Sequence, residues 1–342
     1  MIGSVLGNYR ITQKLGQGGV GEVWKALDLS LDREVALKVL RRELAAVPDL
    51  VARFRTEALA LARLNHPNVA TIHGFHTARE TTFIVMEYIP GQTLDALVRS
   101  FGPMRCARAL PLFAQVLDAI GHAHEHGLVH RDLKASNVML SHLGAVKMLD
   151  FGIARVPGSA HLTKDTHSVG TPAWMAPEQI RGEEVCVRTD VYALGLLLYW
   201  LVTARLPFAA QSHFELERAH VEEPPPSPRQ FAPDLPEPVE RAILRALSKP
   251  RIERFANVGE LRGALGEGFA PLSFATAEHT QAYEPHPSPG PTLVLPRDDD
   301  EDEARAGAPV RRRWLLAGAA LAMLAIAVAA GVASRRAADV EI

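Results

Sequence analysis

Four glycines in six residues, Gly16-Gln17-Gly18-Gly19-Val20-Gly21, lie between two runs of alternating side chains, Tyr9 to Leu15 and Glu22 to Asp28. A period of two marks a half-buried strand, and glycine accepts backbone angles closed to other residues. Together the three segments predict an antiparallel hairpin closed by a glycine turn. Glycine clusters of this kind also open dinucleotide-binding units, but there they lead from a strand into a helix. Here the cluster leads into a second strand, so that reading fails. A glycine hairpin lets backbone amides approach nucleotide phosphates closely. A plain β-turn would use the same residues, and the glycines alone do not separate the two.

The chain beyond the hairpin narrows the choice. Arg33 to Leu40 alternates again and carries Val35-Ala36-Leu37-Lys38, a lysine on a strand one hairpin beyond the glycines. Leu50 to Leu64 has apolar residues at helical spacing and is followed by the stop signal Asn65-His66-Pro67. Glu57 on that helix can pair with Lys38. An isolated surface pair of this sort contributes little, but a lysine aimed at the α- and β-phosphates suits a nucleotide loop. Two further strands are expected at Val69 to His73 and Thr82 to Tyr88. From Leu94 the pattern turns helical, with long runs at Ala107 to His126, Asp190 to Thr203 and Pro238 to Ala246. The expected fold is α+β: a small sheet-rich lobe (9–86) joined through Met86 to Gly91 to a larger helical lobe (92–265), with a cleft between them.

His130-Arg131-Asp132-Leu133-Lys134-Ala135-Ser136-Asn137, then Asp150-Phe151-Gly152, then Ala176-Pro177-Glu178 follow in order. With the glycine loop and Lys38, this series resembles the eukaryotic-type protein kinases over residues 9–265. Met86-Glu87-Tyr88, Lys134 and a C-terminal apolar stretch are similar to the bacterial membrane-anchored serine/threonine kinases. The resemblance implies ATP and Mg2+ as cofactors and protein hydroxyls as acceptors. It makes Asp132 the residue that orients the substrate hydroxyl, Lys134 the one that steadies the γ-phosphoryl group, and Asn137 and Asp150 the metal ligands. ATP would contact Leu15, Gly16, Gln17, Gly18, Gly19, Val20, Gly21, Glu22, Lys38 and Glu57. Adenine would lie between Val23 and Ala36 above and Met139 below, read by backbone groups of Glu87 and Ile89, with Met86 as gatekeeper. Val20 stands where many relatives carry an aromatic residue or Met. Leu61, Ile72, His130 and Phe151 match the family's apolar stack. Glu178 with Arg254 matches its buried ion pair, and Asp190 matches the aspartate that binds the catalytic-loop backbone. Lys134 and Thr171 imply serine/threonine rather than tyrosine specificity. Arg131 would receive a phosphate from Thr163 or Thr166, or less readily Ser168, placed there by autophosphorylation. A nucleotide-binding pseudokinase would need a defect among Lys38, Asp132, Asn137 or Asp150, and none is visible. A small-molecule kinase is disfavoured by the intact segment from Asp150 to Glu178.

The 342 residues suggest two to three structural units, and a net charge of −2 gives no footprint for nucleic acid. The two cysteines, Cys106 and Cys186, read as reduced thiols of a cytosolic domain. No basic and apolar leader follows Met1, so no signal peptide is expected. His122 and His126 have the i, i+4 spacing of metal ligands, yet no cysteine or carboxylate set completes a site. Globular patterning fades after Leu265. A Pro-rich segment with an acidic run, Asp298 to Glu303, reads as a linker over 266–313. Arg311-Arg312-Arg313 then precedes an uncharged stretch, 314–333, long enough to span a bilayer as a helix, and 334–342 follow as a tail. The denser basic charge before the stretch predicts a cytoplasmic kinase domain on a single-pass inner-membrane anchor. Confinement there favours self-association and phosphorylation between copies.

Overall fold

The computed structural model describes residues 1–78, 80–151, 172–210 and 212–266, all within the unit Met1–Glu278. Short β1 (Val5–Leu6) leads into β2 (Tyr9–Gln17), which pairs antiparallel with β3 (Gly21–Asp28), Gln17 opposite Glu22. The glycine residues 18–19 and Val20 thus form the expected turn. With β4 (Arg33–Leu40), β5 (Ile72–Ala78) and β6 (Thr81–Glu87) these strands make a six-stranded sheet in the order β1-β2-β3-β4-β6-β5. Helices α1 (Arg42–Ala45) and α2 (Pro48–Leu61) lie between β4 and β5 in sequence.

Strand parity decides what each sheet face meets. Val35, Leu37 and Val39 pack with Trp24, Ala26, Phe83 and Val85 on one face. Ala36 and Leu40 pack on the other against Phe54 and Ala58 of α2, with Ile84 and Met86. Lys38 shares the even parity, so its side chain emerges beneath α2. Fully burying a side chain such as Phe54 stabilises the docked helix by roughly 1.5–3 kcal/mol.

One expected strand shifts. Val69 to His73 was the sequence expectation, but β5 begins at Ile72, and Val69 forms an isolated parallel bridge to Met148. The Met148 N–H donates to the Asn68 carbonyl (2.7 Å), and the Ala70 N–H donates to the Met148 carbonyl (2.9 Å). Val69 is apolar because it is buried against the large lobe, a contact that looks like a strand in sequence.

The large lobe starts with β7 (Gly91–Thr93), which joins β8 (Val138–Ser141) and β9 (Val146–Met148) in a three-stranded sheet. Its helices are α3 (Leu94–Phe101), α4 (Cys106–Glu125), α5 (Pro177–Ile180), α6 (Val187–Thr203), α7 (His213–Glu222), α8 (Glu237–Ala246) and α9 (Val258–Ala264). Side-chain caps start three of them. Thr93 accepts from the Ala96 N–H, Ser212 from Glu215 and Asn257 from Glu260. Helix α6 is apolar on nearly every side and is buried from Thr189 to Thr203, as a helix through the middle of a core must be. Gly195 permits its close approach to α8, since a Cβ there would lie 2.9 Å from that of Ala246.

Among the described residues no helix is long and apolar enough to cross a membrane. The candidate span 314–333 and the linker before it, from residue 267 on, lie outside the described residues, as do Gly152 and the activation-segment positions Thr163, Thr166, Ser168 and Thr171.

Candidate active site

Lys38 is the hub of the small-lobe half of the cleft. Its Nζ lies 3.3 Å from Glu57 Oε1 and 2.9 Å from Asp150 Oδ1. Lys38 and Glu57 are nearly buried, while the Asp150 side chain is 37% exposed and so opens toward the cleft. Burial disfavours the Lys38 ammonium, but Asp150 and Glu57 outweigh it and raise its pKa, so the cation is kept. Burial is also the main cause that raises the Glu57 pKa; Lys38 opposes it and Asp150 adds to it. Two carboxylates thus share one ammonium.

The large-lobe half is a loop held from below. Asp190 on α6 is buried, and its carboxylate accepts the backbone N–H of His130 (2.7 Å) and of Arg131 (3.0 Å). Its Oδ2 also lies 2.8 Å from His124 Nε2. Arg131 takes φ +67°, a left-handed conformation that costs a non-glycine residue energy and persists only where surroundings impose it. The Asp190 bonds supply that constraint. Beyond the bend, Asp132 Oδ2 lies 3.0 Å from Lys134 Nζ, and Asn137 Nδ2 donates to the Asp132 carbonyl (2.9 Å) and to Oδ2 (3.2 Å). Asn137 therefore presents its amide oxygen away from Asp132.

His130 is completely buried, and its ring centroid lies 4.4 Å from that of Phe151. Burial lowers its pKa and keeps the imidazole neutral, and Nδ1 accepts the Asp132 N–H at 3.3 Å. Leu61 and Phe151 lie in the same apolar cluster, with Ile72 packed against it. Of the four residues expected as a stack, His130 and Phe151 are thus in direct ring contact.

The residues expected around an adenine are placed by the two sheets. Val23 opposes Lys38, Ala36 opposes Met86, and Val23 packs against the cluster containing both. Met139 sits on β8 opposite Thr93 and Lys147. The Glu87 side chain is committed elsewhere, to Lys147 Nζ (2.9 Å) and the Thr71 N–H (3.1 Å). A Cβ added at Gly16 or Gly19 would meet nothing within 4 Å among the described residues.

Farther out, Arg254 forms a bidentate pair with Glu178 (2.8 and 2.9 Å), and Thr189 adds a hydroxyl donor to the same carboxylate (2.7 Å). Gln179 links this corner to the loop of Asp132 by donating to the Arg131 carbonyl (2.8 Å). Sequence reasoning missed Gln179, which no motif distinguishes. It also missed His66, whose ring stacks on His122 at 5.0 Å while His122 contacts His126 at 4.3 Å. His66 Nδ1 is engaged by the Asn68 N–H, and no group of three or more histidine, cysteine and carboxylate side chains among the described residues could hold a metal ion.

The oxygen donors of Asp150 and Asn137 are of the hard type that suits Mg2+.

Residues 9–254 match the family model described as "Protein kinase domain". The serine/threonine-protein kinase PrkC of Bacillus subtilis is 36% identical over 265 residues, covering 78% of this chain and 41% of that protein. The serine/threonine-protein kinase pkn3 of Myxococcus xanthus is 41% identical over 268 residues, covering 75% of this chain and 49% of its own length. The chain thus spans about half or less of these relatives. Among solved structures, the PknI kinase domain of Mycobacterium tuberculosis superposes with a TM-score of 0.62 at 27% identity, covering 78% of this chain and 99% of that one.

Proposed function

The chain belongs to the protein kinase family, and on that premise we propose that it transfers the γ-phosphoryl group of ATP to serine and threonine hydroxyls of proteins. The observation that carries this reading is the pairing of two prepared half-sites. Lys38 is held between Glu57 and Asp150, and Asp132 is held between Lys134 and Asn137.

Phosphoryl transfer asks a protein chiefly for positioning and charge neutralisation. The glycine turn and Lys38 would bind the phosphates, with Lys38 kept cationic and aimed by Glu57. Val23, Ala36 and Met139 would enclose the adenine, and Met86, Glu87 and Ile89 would line its edge. Asp132 would orient the acceptor hydroxyl and take its proton, while Lys134, 3.0 Å from that carboxylate, would balance charge on the moving group. Asn137 and Asp150 would hold Mg2+, which supplies further neutralisation of the phosphate oxygens when bound. Asp190 keeps Arg131 in its strained bend and thereby fixes the direction of Asp132.

Thr171 and Lys134 support serine/threonine specificity, and the names of the relatives agree with it. Arg131 next to Asp132 supports activation by phosphate on Thr163, Thr166 or Ser168. The uncharged stretch 314–333 behind three arginines supports a single-pass anchor with the kinase domain cytoplasmic, a setting that favours phosphorylation between copies. A pseudokinase reading is not favoured, because all four residues it would need to lose are present and Lys38 is paired.

Incubation of the purified chain with γ-labelled ATP and a basic protein, followed by phosphoamino-acid identification, tests the reading. Phosphoserine or phosphothreonine is expected. Nucleotide binding without transfer to any protein would overturn it.

A further inference from the structure

We propose that Arg41 is a positioning residue for the nucleotide, holding the glycine turn so that the Gly19 amide faces the phosphates. The inference rests on the nucleotide-binding reading above. Arg41 follows β4 with extended backbone angles, φ −59° and ψ 142°, and so continues the strand's alternation. Its odd number places it with Val35, Leu37 and Val39, on the face opposite Lys38. Two bonds run from it to the turn. Its backbone N–H donates to the Val20 carbonyl (3.1 Å), and its guanidinium donates to the Gly18 carbonyl (2.8 Å).

The second bond has a directional consequence. In a trans peptide the carbonyl and the following N–H point opposite ways, and no cis peptide occurs among the described residues. Drawing the Gly18 carbonyl toward Arg41 turns the Gly19 N–H away from it, toward the side of the sheet that carries Lys38. A cation anchored on the far face thus aims a donor into the cleft.

Among the described residues little else sets that peptide plane. A Cβ at Gly18 would meet only the Gly21 carbonyl, at 4.0 Å, and one at Gly19 nothing. The Gly18 N–H closes the turn by donating to Gly21 (2.8 Å), and Lys14 ties the two arms through Gln17 and Glu22. Neither contact fixes the Gly18 carbonyl. Without Arg41, two adjacent glycines can rotate that peptide at small cost.

The test compares the purified full chain with Arg41→Ala and Arg41→Lys in transfer to a peptide, alongside binding of ATP and of adenosine. Arg41→Ala is expected to raise KM for ATP about fivefold, the scale of one exposed charge-assisted hydrogen bond, with kcat within about twofold. Adenosine, which has no phosphate, should bind the variant and the wild type alike. Arg41→Lys keeps a cationic donor and should recover most of the loss. Equal weakening toward ATP and adenosine, or no change toward either, would overturn the proposal. Should Arg41→Ala not fold, Arg41→Gln and Arg41→Lys carry the same comparison. A wild-type chain that binds ATP but transfers nothing would defeat the catalytic reading alone, and the ATP-to-adenosine ratio would still decide the role of Arg41.

Discussion

Replacing Arg254 with Met removes a guanidinium whose donors are all engaged in a fully buried corner. Nε donates to the Ser248 carbonyl (2.8 Å), and the two terminal nitrogens hold Glu178 (2.8 and 2.9 Å), Arg188 O (3.0 Å) and Lys249 O (3.1 Å). The side chains of Arg254 and Glu178 are 0% and 3% exposed, so water cannot replace what is lost. Removing one partner of such a pair costs about 3–5 kcal/mol, because the other charge is left buried. At about 2–4 °C per kcal/mol for a domain of this size, the melting temperature should fall by about 10 °C. The pH dependence separates this cause from a packing defect. Burial raises the pKa of Glu178, but Arg254 outweighs it and holds the group below its ordinary value of 4.5. In the wild type its contribution is therefore complete above pH 4.5 and is lost as pH falls through the lowered pKa. In the variant the sign reverses: burial alone raises the pKa, folding takes up a proton, and the deficit narrows as pH falls from 7 toward 5. Scanning calorimetry at both pH values reads the effect, and adding Glu178→Leu should restore more than half the loss. A melting shift under about 3 °C, or a deficit that widens in acid, would refute the reasoning.

Asp132→Asn should lower the transfer rate by about 10²–10⁴-fold, the range for general-base loss, while the Kd for ATP changes little; steady-state kinetics and calorimetric titration check both. Gly195→Ala should destabilise the fold by about 1–3 kcal/mol, because the new methyl would stand 2.9 Å from Ala246 Cβ and 3.1 Å from a Leu247 side-chain carbon; denaturant unfolding measures it. His220 is buried beside Tyr192, and burial, aided by Lys249, lowers its pKa from 6.5 to about 3. The unfolded chain alone binds that proton between these values, so stability should drop as the pH is lowered across the window, at about 1.4 kcal/mol per unit, and His220→Gln should flatten that slope.

How far the fold could be read from sequence depended on whether a signal was local. The hairpin was legible because glycine and strict alternation are near-neighbour patterns, and both helix α2 and helix α4 appeared within three residues of their expected bounds. Val69 misled because burial by another lobe and burial within a sheet select the same apolar residue. Lys38, Asp132, Asn137 and Asp150 were found through motif order. Their distances, and the sharing of Lys38 by two carboxylates, depend on segments far apart in the chain.

Arg41 and Gln179 mark where reading by motif ended. Each acts through a carbonyl of the backbone, Gly18 for one and Arg131 for the other, and a carbonyl carries no residue identity for a pattern to detect. His66 joined His122 and His126 only because the loop after α2 packs on α4. The residue types and their order determined the two-lobed class and the chemistry, because strand parity, helix spacing and the functional groups are properties of short stretches. The tertiary structure alone decided which charges share a partner, which backbone bends are held under strain and which backbone carbonyls a distant side chain engages. Those depend on direction and burial, which arise only when distant segments exclude water together.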